Sequence, residues 1–324
     1  MTMLARVSRT VREVVLSVAT EPTTFSVVIP TYNERADVAA TLDAVLAQRH
    51  RPKEIIVVDG GSTDGTRELL RGCVERDGIT LIEESRRRGV AAARNTGIGV
   101  ATGDVVVILN ADVMPAADFL QRLDRAYREG AGMVSVQSRV FNTDCATGRF
   151  LQATHDLEYG PEAVGWTEGF SCRRDAASQA RFPEELPGVG GEDVEFVERL
   201  RRARLPWRVD YDIVVSHRVP ATLCAFWTQW RWRGNAIPYI DLRLRKRPIE
   251  LVVARRALAT MKSAAFVAAV YPMLRRALDR AAASPRGRRD LPMFWLLAHM
   301  QVAAHRAGEW ETIAGLLRER KDRP

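Results

Sequence analysis

The stretch VVVILNADVMP, residues 105–115, decides how the rest of this chain is read. Five apolar residues, four of them β-branched, form the continuous run expected of a short strand buried on both faces. Where the run stops, Asn110 and Asp112 follow with only Ala111 between them. In open α/β sheets ligands bind outside the carboxyl ends of the strands. An amide and a carboxylate placed there are therefore candidate site residues, with an Asx turn that merely closes the strand as the alternative.

Working outward, the same grammar repeats. FSVVIP (25–30), KEIIVVD with its strand at 54–58, ITLIEE (79–84) and DVVVILN (104–110) read as four strands. Between them, 36–48, the GTRELLRGCVERDG segment ended by Gly78, and the small-residue run 90–101 have helical periodicity. Strands alternating with helices predict an α/β fold, a doubly wound and mostly parallel sheet with flanking helices. Beyond it the pattern predicts a helix at 116–129, a strand at 132–139, a less regular stretch to about 185, a helix after GGEDVEF, and a strand at 207–217. From Ala221 onward the spacing is helical, interrupted at RLRKRP (243–248) and SPRGRRDLP (284–292). Leu4, Val7, Val11, Val14, Val15 and Val18, with arginines opposite, predict an amphipathic helix before the first strand.

Composition bounds the classes. With 46% apolar and 27% charged residues, the 324-residue chain has the balance of a soluble globular protein. Its net charge of +8 is uneven. Residues 241–324 carry 18 Lys and Arg against 8 Asp and Glu, and the 240 residues before them carry 30 against 32. That asymmetry argues against a nucleic-acid-binding surface along the chain. Cys73, Cys145, Cys172 and Cys224 form no CxxC pair, so free thiols in a reducing, cytoplasmic setting are expected. Arg6, Arg9 and Arg12 interrupt any apolar core of a secretory signal, and no run of 18 apolar residues predicts a membrane span.

Every other strand end is also unusual. Strand one ends PTYNE (30–34) and strand two ends DGGSTDGT (59–66). A glycine-rich loop feeding a helix suits phosphate or nucleotide binding, because free N–H groups at a helix start attract anions. The loop has neither the GxGxxG nor the GK[ST] spacing. Asp59 can accept from a base or sugar; turn and helix-cap roles are the alternative for Asp59 and Asp64. Glu192 and Asp193, at the start of the helix in GVGGEDVEF, are candidates for a general base, or else residues that complement the helix dipole.

The motifs VVIPTYNE, IIVVDGGSTDGT, RGVAAARNTGI, ILNAD, GEDVEF and VSHRVPATLCAFWTQWRWRG occur in the order and spacing of the family 2 glycosyltransferases. The resemblance covers about residues 25–240. It implies a GT-A fold and an inverting, metal-dependent transfer of a sugar from a nucleotide-diphospho-sugar, with a lean toward UDP, to a hydroxyl acceptor. It places Mg2+ or Mn2+ on Asp112, with His217 as a second ligand, and sets Asn110 on the nucleoside where the family usually has Asp. The change keeps an acceptor oxygen and loses a charge. Asp193 becomes the base and Glu192 the residue that orients the acceptor. Pro30, Tyr32, Glu34, Asp59, Asp64, Arg88 and Arg94 fall on the nucleotide-sugar side, and Arg231 and Arg233 in QWRWRG on the diphosphate. That spacing differs from the Gln-x-x-Arg-Trp of processive synthases.

The organisation expected is a lead-in helix at 1–24, a catalytic domain at 25–240 and a basic helical C-terminal extension at 241–324. Within the domain, 25–112 is the nucleotide half and 113–240 the acceptor half. In the extension, AAFVAAVYPML and LPMFWLLAHMQVAA are too short to span a bilayer. They read either as peripheral contacts with an anionic membrane, which would suit a lipid-linked glycan acceptor, or as a cap on the domain. Two other classes compete: a nucleotidyltransferase, which leaves GEDVEF and His217 without a role, and an inactive binding module, for which only Asn110 speaks.

Overall fold

The computed structural model describes residues 21–158, 167–186, 190–268 and 270–321. The helix expected at 4–18 lies outside them. The first half of the described chain runs β1 (Phe25–Thr31), α1 (Val38–Leu46), β2 (Glu54–Asp59), α2 (Thr66–Asp77), β3 (Thr80–Glu83), α3 (Val90–Val100), β4 (Val105–Ile108). Then follow β5 (Val113–Pro115), α4 (Phe119–Arg128), β6 (Met133–Val140), α5 (Ala146–Glu158), β7 (Phe170–Arg173), α6 (Arg174–Ala180), α7 (Glu192–Arg202) and β8 (Trp207–His217). The C-terminal part is helical: α8 (Leu223–Tyr239) with a π-helical turn at Ile240–Leu244, α9 (Ile249–Ala268), α10 (Val270–Ala283), a 3-10 turn at Gly287–Asp290, and α11 (Leu291–Lys321).

The strands form one sheet in the order β3-β2-β1-β4-β7-β6-β8-β5. The first four pair in parallel, as the alternation predicts. The remainder is mixed, with β4/β7, β6/β7 and β5/β8 antiparallel and β6/β8 parallel. The less regular stretch before 185 therefore holds α5, β7 and α6, which periodicity did not resolve. The opening stretch is two strands rather than one. After β4 the chain turns, with the Val113 N–H donating to the Asn110 carbonyl at 3.1 Å, and β5 runs at the far edge of the sheet. In a flat sheet four strand spacings would separate β4 from β5, about 19 Å. Five residue steps reach at most about 18 Å even when fully extended. The sheet must curl, and residues 110–112 sit where the curl closes.

β1 is buried along its whole length, and its side chains divide between two cores. Phe25, Val27 and Ile29 pack with α1, α2 and α4 through Val38, Leu42, Leu70, Phe119 and Leu123. Val28, together with Ile56, Val58, Val106 and Ile108, packs on the other side with α3 and α7. Pro30 is tolerated in this central strand because β4 pairs with β1 only as far as Val28–Ile108. Its missing N–H thus falls beyond the ladder.

A third core joins α5 and the C-terminal helices through Phe150, Phe226, Trp230, Met273 and Phe294. Here α8 and α11 cross backbone to backbone. A Cβ on Gly234 would overlap the carbonyl oxygen of His305, and one on Gly308 would overlap that of Arg231. Among the described residues no helix is long and apolar enough to cross a membrane.

Candidate active site

The loops after β1 and β2 are tied to each other. Asn33, in the left-handed region at φ 56°, donates its N–H to Ser62 Oγ at 2.8 Å and accepts from the Thr63 N–H at 2.9 Å. Asp59 is fully buried and accepts from the N–H groups of Gly61 and Ser62 and from Arg67 Nε, each at 3.1 Å. Asp64 accepts from the N–H and hydroxyl of Thr66 at 3.0 and 2.5 Å, and the hydroxyl bond above all holds its carboxyl below the usual range. Both aspartates are thus engaged in building the loop, with Asp64 in the turn role and Gly65 at the helix cap. Tyr32 is half-buried, with the Arg87 guanidinium 4.2 Å from its ring centroid. Glu34 has a different environment. Burial first, then the charges of Asp112, Asp37 and Asp64, push its carboxyl up to about 7.

Arg94 links the sequence motifs. It stands buried on α3, donating to Asn110 Oδ1 at 3.0 Å and to Glu192 Oε1 at 2.9 Å, with its guanidinium 5.0 Å from the Phe182 ring centroid. Glu192 also takes the Gly190 N–H at 2.7 Å, across a turn that Gly190 and Gly191 make at positive φ. Asn110 therefore presents its amide oxygen to the Arg94 guanidinium, and the strand end at 110 is clamped to the head of α7. Next to Glu192, the carboxyl of Asp193 is pushed up to about 7 by burial and then by the charge of Glu192, with Arg94, the Val194 N–H and Arg233 opposing. Arg88 stands apart from this network. Its half-exposed guanidinium bridges Glu84 at 3.3 Å and Glu184 at 3.0 Å.

On the other side of the curl, His217 ends β8 and pairs in register with Val113, one residue past Asp112. Burial, then Glu168, raise the carboxyl of Asp112 to about 6, with His217 opposing. His217 Nδ1 lies 2.8 Å from Ser138 Oγ and 3.2 Å from Glu168 Oε2, and its ring stacks on His155 at 5.4 Å. Burial pushes His155 down to about 4, so its imidazole is neutral at pH 7. For Glu168, burial is outweighed by His217, Ser138, His155 and Arg233, and its carboxyl is lowered.

Sequence reasoning did not single out Ser138, His155 or Glu168. Glu168 was overlooked because it precedes a strand. β7 is antiparallel to β4, with Phe170 opposite Ile108, so the beginning of β7 lies at the same sheet edge as the end of β4. The available signal was the glycine that follows. Gly169 has φ 77°, and a Cβ there would lie 2.8 Å from Val215 and 3.0 Å from Val136.

The two arginines of QWRWRG separate. The charge of Arg233 acts on Asp193, Glu168 and His155, and its guanidinium lies 4.7 Å from the Trp230 ring centroid. Arg231 instead turns to α11, with Nε 3.7 Å from Glu311 Oε2. Residues two apart on a helix are separated by about 200° of turn, so the two side chains leave α8 on nearly opposite faces.

Among the described residues no three of His, Cys, Asp and Glu gather as a complete protein-built cation site. Asp112 and His217 supply a carboxylate and an imidazole. Small hard cations at nucleotide sites are commonly held by one or two carboxylates and finished by substrate phosphates. The crowding of Glu34, Asp112 and Glu168, which raises two of the three carboxyls, fits a position where a cation would relieve repulsion.

With this geometry in place, comparison with known proteins is decisive. The sequence profile of Glycosyl transferase family 2 matches residues 26–177. This chain belongs to glycosyltransferase family 2. Glycosyltransferase AglE of Haloferax volcanii is 30% identical over 203 residues, 59% of this chain and 66% of that protein. The undecaprenyl-phosphate 4-deoxy-4-formamido-L-arabinose transferase of Aeromonas hydrophila subsp. hydrophila is 37% identical over 119 residues, 35% of this chain and 36% of that protein. The chain thus spans about two thirds of the first relative's length and about a third of the second's. Among solved structures, the mannosyltransferase PcManGT from Pyrobaculum calidifontis, in complex with GDP-Man and Mn2+, aligns with TM-score 0.59 at 21% identity. The alignment covers 91% of this chain and 88% of that one, and it establishes the GT-A fold for this family 2 member.

Proposed function

We propose that this family 2 member is an inverting glycosyltransferase that moves a sugar from a nucleoside-diphospho-sugar, UDP-linked in the first instance, to a hydroxyl acceptor. The reading rests on Arg94, which joins Asn110 at the end of β4 to Glu192 at the head of α7. Through it the donor motif and the candidate base belong to one site. Residues 25–112 then hold the donor, 113–240 supply the base and cation ligands, and 241–324 border the acceptor side.

In this reading Asp112 and His217 hold Mg2+ or Mn2+, which when bound offsets negative charge on the leaving diphosphate. Asp193, with its carboxyl raised to about 7, removes the proton from the acceptor hydroxyl as that oxygen attacks the anomeric carbon. The bond from that carbon to the phosphate oxygen breaks on the opposite side, so a single displacement inverts the centre. Glu192 and Arg94 orient Asn110 toward the nucleoside and keep Asp193 in place. Arg233 lends positive charge to the site from α8.

The acceptor we propose is a lipid-linked glycan at the cytoplasmic face of a membrane. The name of the Aeromonas relative supports a polyprenyl-phosphate setting. So do the exposed Leu251, Leu258 and Met261 on α9 and Leu274 and Leu278 on α10, which stand among Arg255, Lys262 and Arg275.

The test is thermal stability with UDP, GDP, CDP and dTDP, each with Mn2+ or EDTA, on the wild type and Asp112→Ala. A nucleotide at 100 times its Kd adds about 2.7 kcal/mol. A shift with one nucleotide, dependent on Mn2+ and lost in Asp112→Ala, is expected. The absence of any shift would overturn the donor-site reading.

A further inference from the structure

We infer that Ser138 and Glu168 are positioning residues that fix the tautomer of His217, placing its ring proton on Nδ1 and leaving Nε2 with a bare lone pair. The inference deepens the proposed function and rests on its assignment of His217 as a cation ligand.

The argument is a proton count. A serine hydroxyl has one hydrogen. Ser138 donates it to Glu168 Oε2 at 2.5 Å. Its Oγ therefore meets His217 Nδ1, 2.8 Å away, with a lone pair. The second neighbour of Nδ1 is Glu168 Oε2 itself at 3.2 Å, again an acceptor. Both groups facing Nδ1 accept, so Nδ1 carries the hydrogen. In the neutral ring only one nitrogen is protonated, and Nε2 is left free to bind a cation.

The arrangement is built into the fold rather than assembled by flexible side chains. Ser138 and His217 lie on paired strands, with Ser138 opposite Val215 and Val140 opposite His217. The His155 ring, inclined by 23° to that of His217, restrains its plane. Glu168 is aimed by Gly169, whose positive φ and close neighbours exclude a side chain. A carboxylate behind a ligating imidazole orients the ring and raises its basicity, and losing such a partner weakens metal binding by roughly 10- to 100-fold.

The first readout needs no metal and no variant. In metal-free protein with 15N-labelled histidine, long-range 1H–15N correlations distinguish the two tautomers, and His217 is assigned by the resonance missing from His217→Gln. A proton on Nδ1 is expected in the wild type and in Ser138→Ala, where the Glu168 carboxylate still accepts from Nδ1, with the Nε2-protonated form appearing in Glu168→Gln. A wild-type ring protonated on Nε2, or an unchanged tautomer population in Glu168→Gln, would overturn the inference. The second readout is Mn2+ affinity, from the electron paramagnetic resonance signal of free Mn2+, in the presence of UDP or GDP. Glu168→Gln is expected to bind about 10- to 100-fold more weakly than the wild type, with an unchanged melting temperature in EDTA. Equal affinity in wild type and variant would show that the tautomer has no bearing on the cation. A wild type that binds no Mn2+ would instead overturn the cation-site reading itself, while the ring measurement still decides the tautomer.

Discussion

Two sets of carboxylates line the same edge of the sheet, and they are treated in opposite ways. Asp59 and Asp64, in the loop after β2, are saturated with donors: backbone N–H groups, the Thr66 hydroxyl and Arg67. Glu34, Asp112 and Asp193 are each crowded by burial and by neighbouring carboxylates, and their carboxyls rise to between about 6 and about 7. Donors directed at a carboxylate stabilise its charge and shape the backbone around it. Where donors are too few to offset burial and neighbouring charge, the group's own charge is left to be balanced by something that arrives, whether a cation, a sugar hydroxyl or a proton. Under the proposed function, the contrast separates acids that build the site from acids that operate it.

Substitutions test this division directly. The largest expected effect is Asp193→Asn, which should lower the transfer rate by about 10^2- to 10^4-fold while leaving nucleotide-dependent stabilisation intact. A variant retaining more than a tenth of the wild-type rate would remove Asp193 from the operating set. The Gly308→Ala change attacks neither set, yet it should destabilise the fold by about 1–3 kcal/mol by forcing α8 and α11 apart, read as a lowered urea midpoint. Asp64→Ala should cost only about 1 kcal/mol of stability and little nucleotide affinity, as befits a turn residue.

The subtlest test is pH. A base that must be ionised makes kcat/KM rise as pH increases through about 7. The same raised carboxyl binds its proton more tightly in the folded than in the unfolded chain. Its contribution to stability is therefore full below the unfolded value near 3.8 and is lost as pH rises through about 7. In Asp193→Asn part of that decline in melting temperature between pH 4 and 7 should vanish, and an unchanged slope would place the titration elsewhere.

The parallel half of the sheet was legible in the sequence because β1, β2 and β4 each carry a continuous apolar run followed by a polar loop, a local signal, and β3 falls between two helical patterns. β5 and β7 were not, since three and four residues carry no period and become strands only through pairing partners far along the chain. The candidate site divides in the same way. Asn110, Asp112, Glu192, Asp193 and His217 stand at element ends that periodicity locates. Whether an arginine faces inward, as Arg94 and Arg233 do, or outward to carboxylates, as Arg88 and Arg231 do, depends on helix phase and on partners that local pattern does not contain. Glu168 was hidden by the direction of its strand.

The glycine crossing of α8 and α11 bears on motion. Arg233 immediately precedes Gly234, the residue at which the two backbones touch. Side chains at a helix interface can change rotamer to absorb a displacement, but two main chains in contact have no such slack. A push on the long C-terminal helix is handed to α8 without loss at that point. The crossing works as a rivet: the basic extension and the arginine that colours the field of the site move together or not at all.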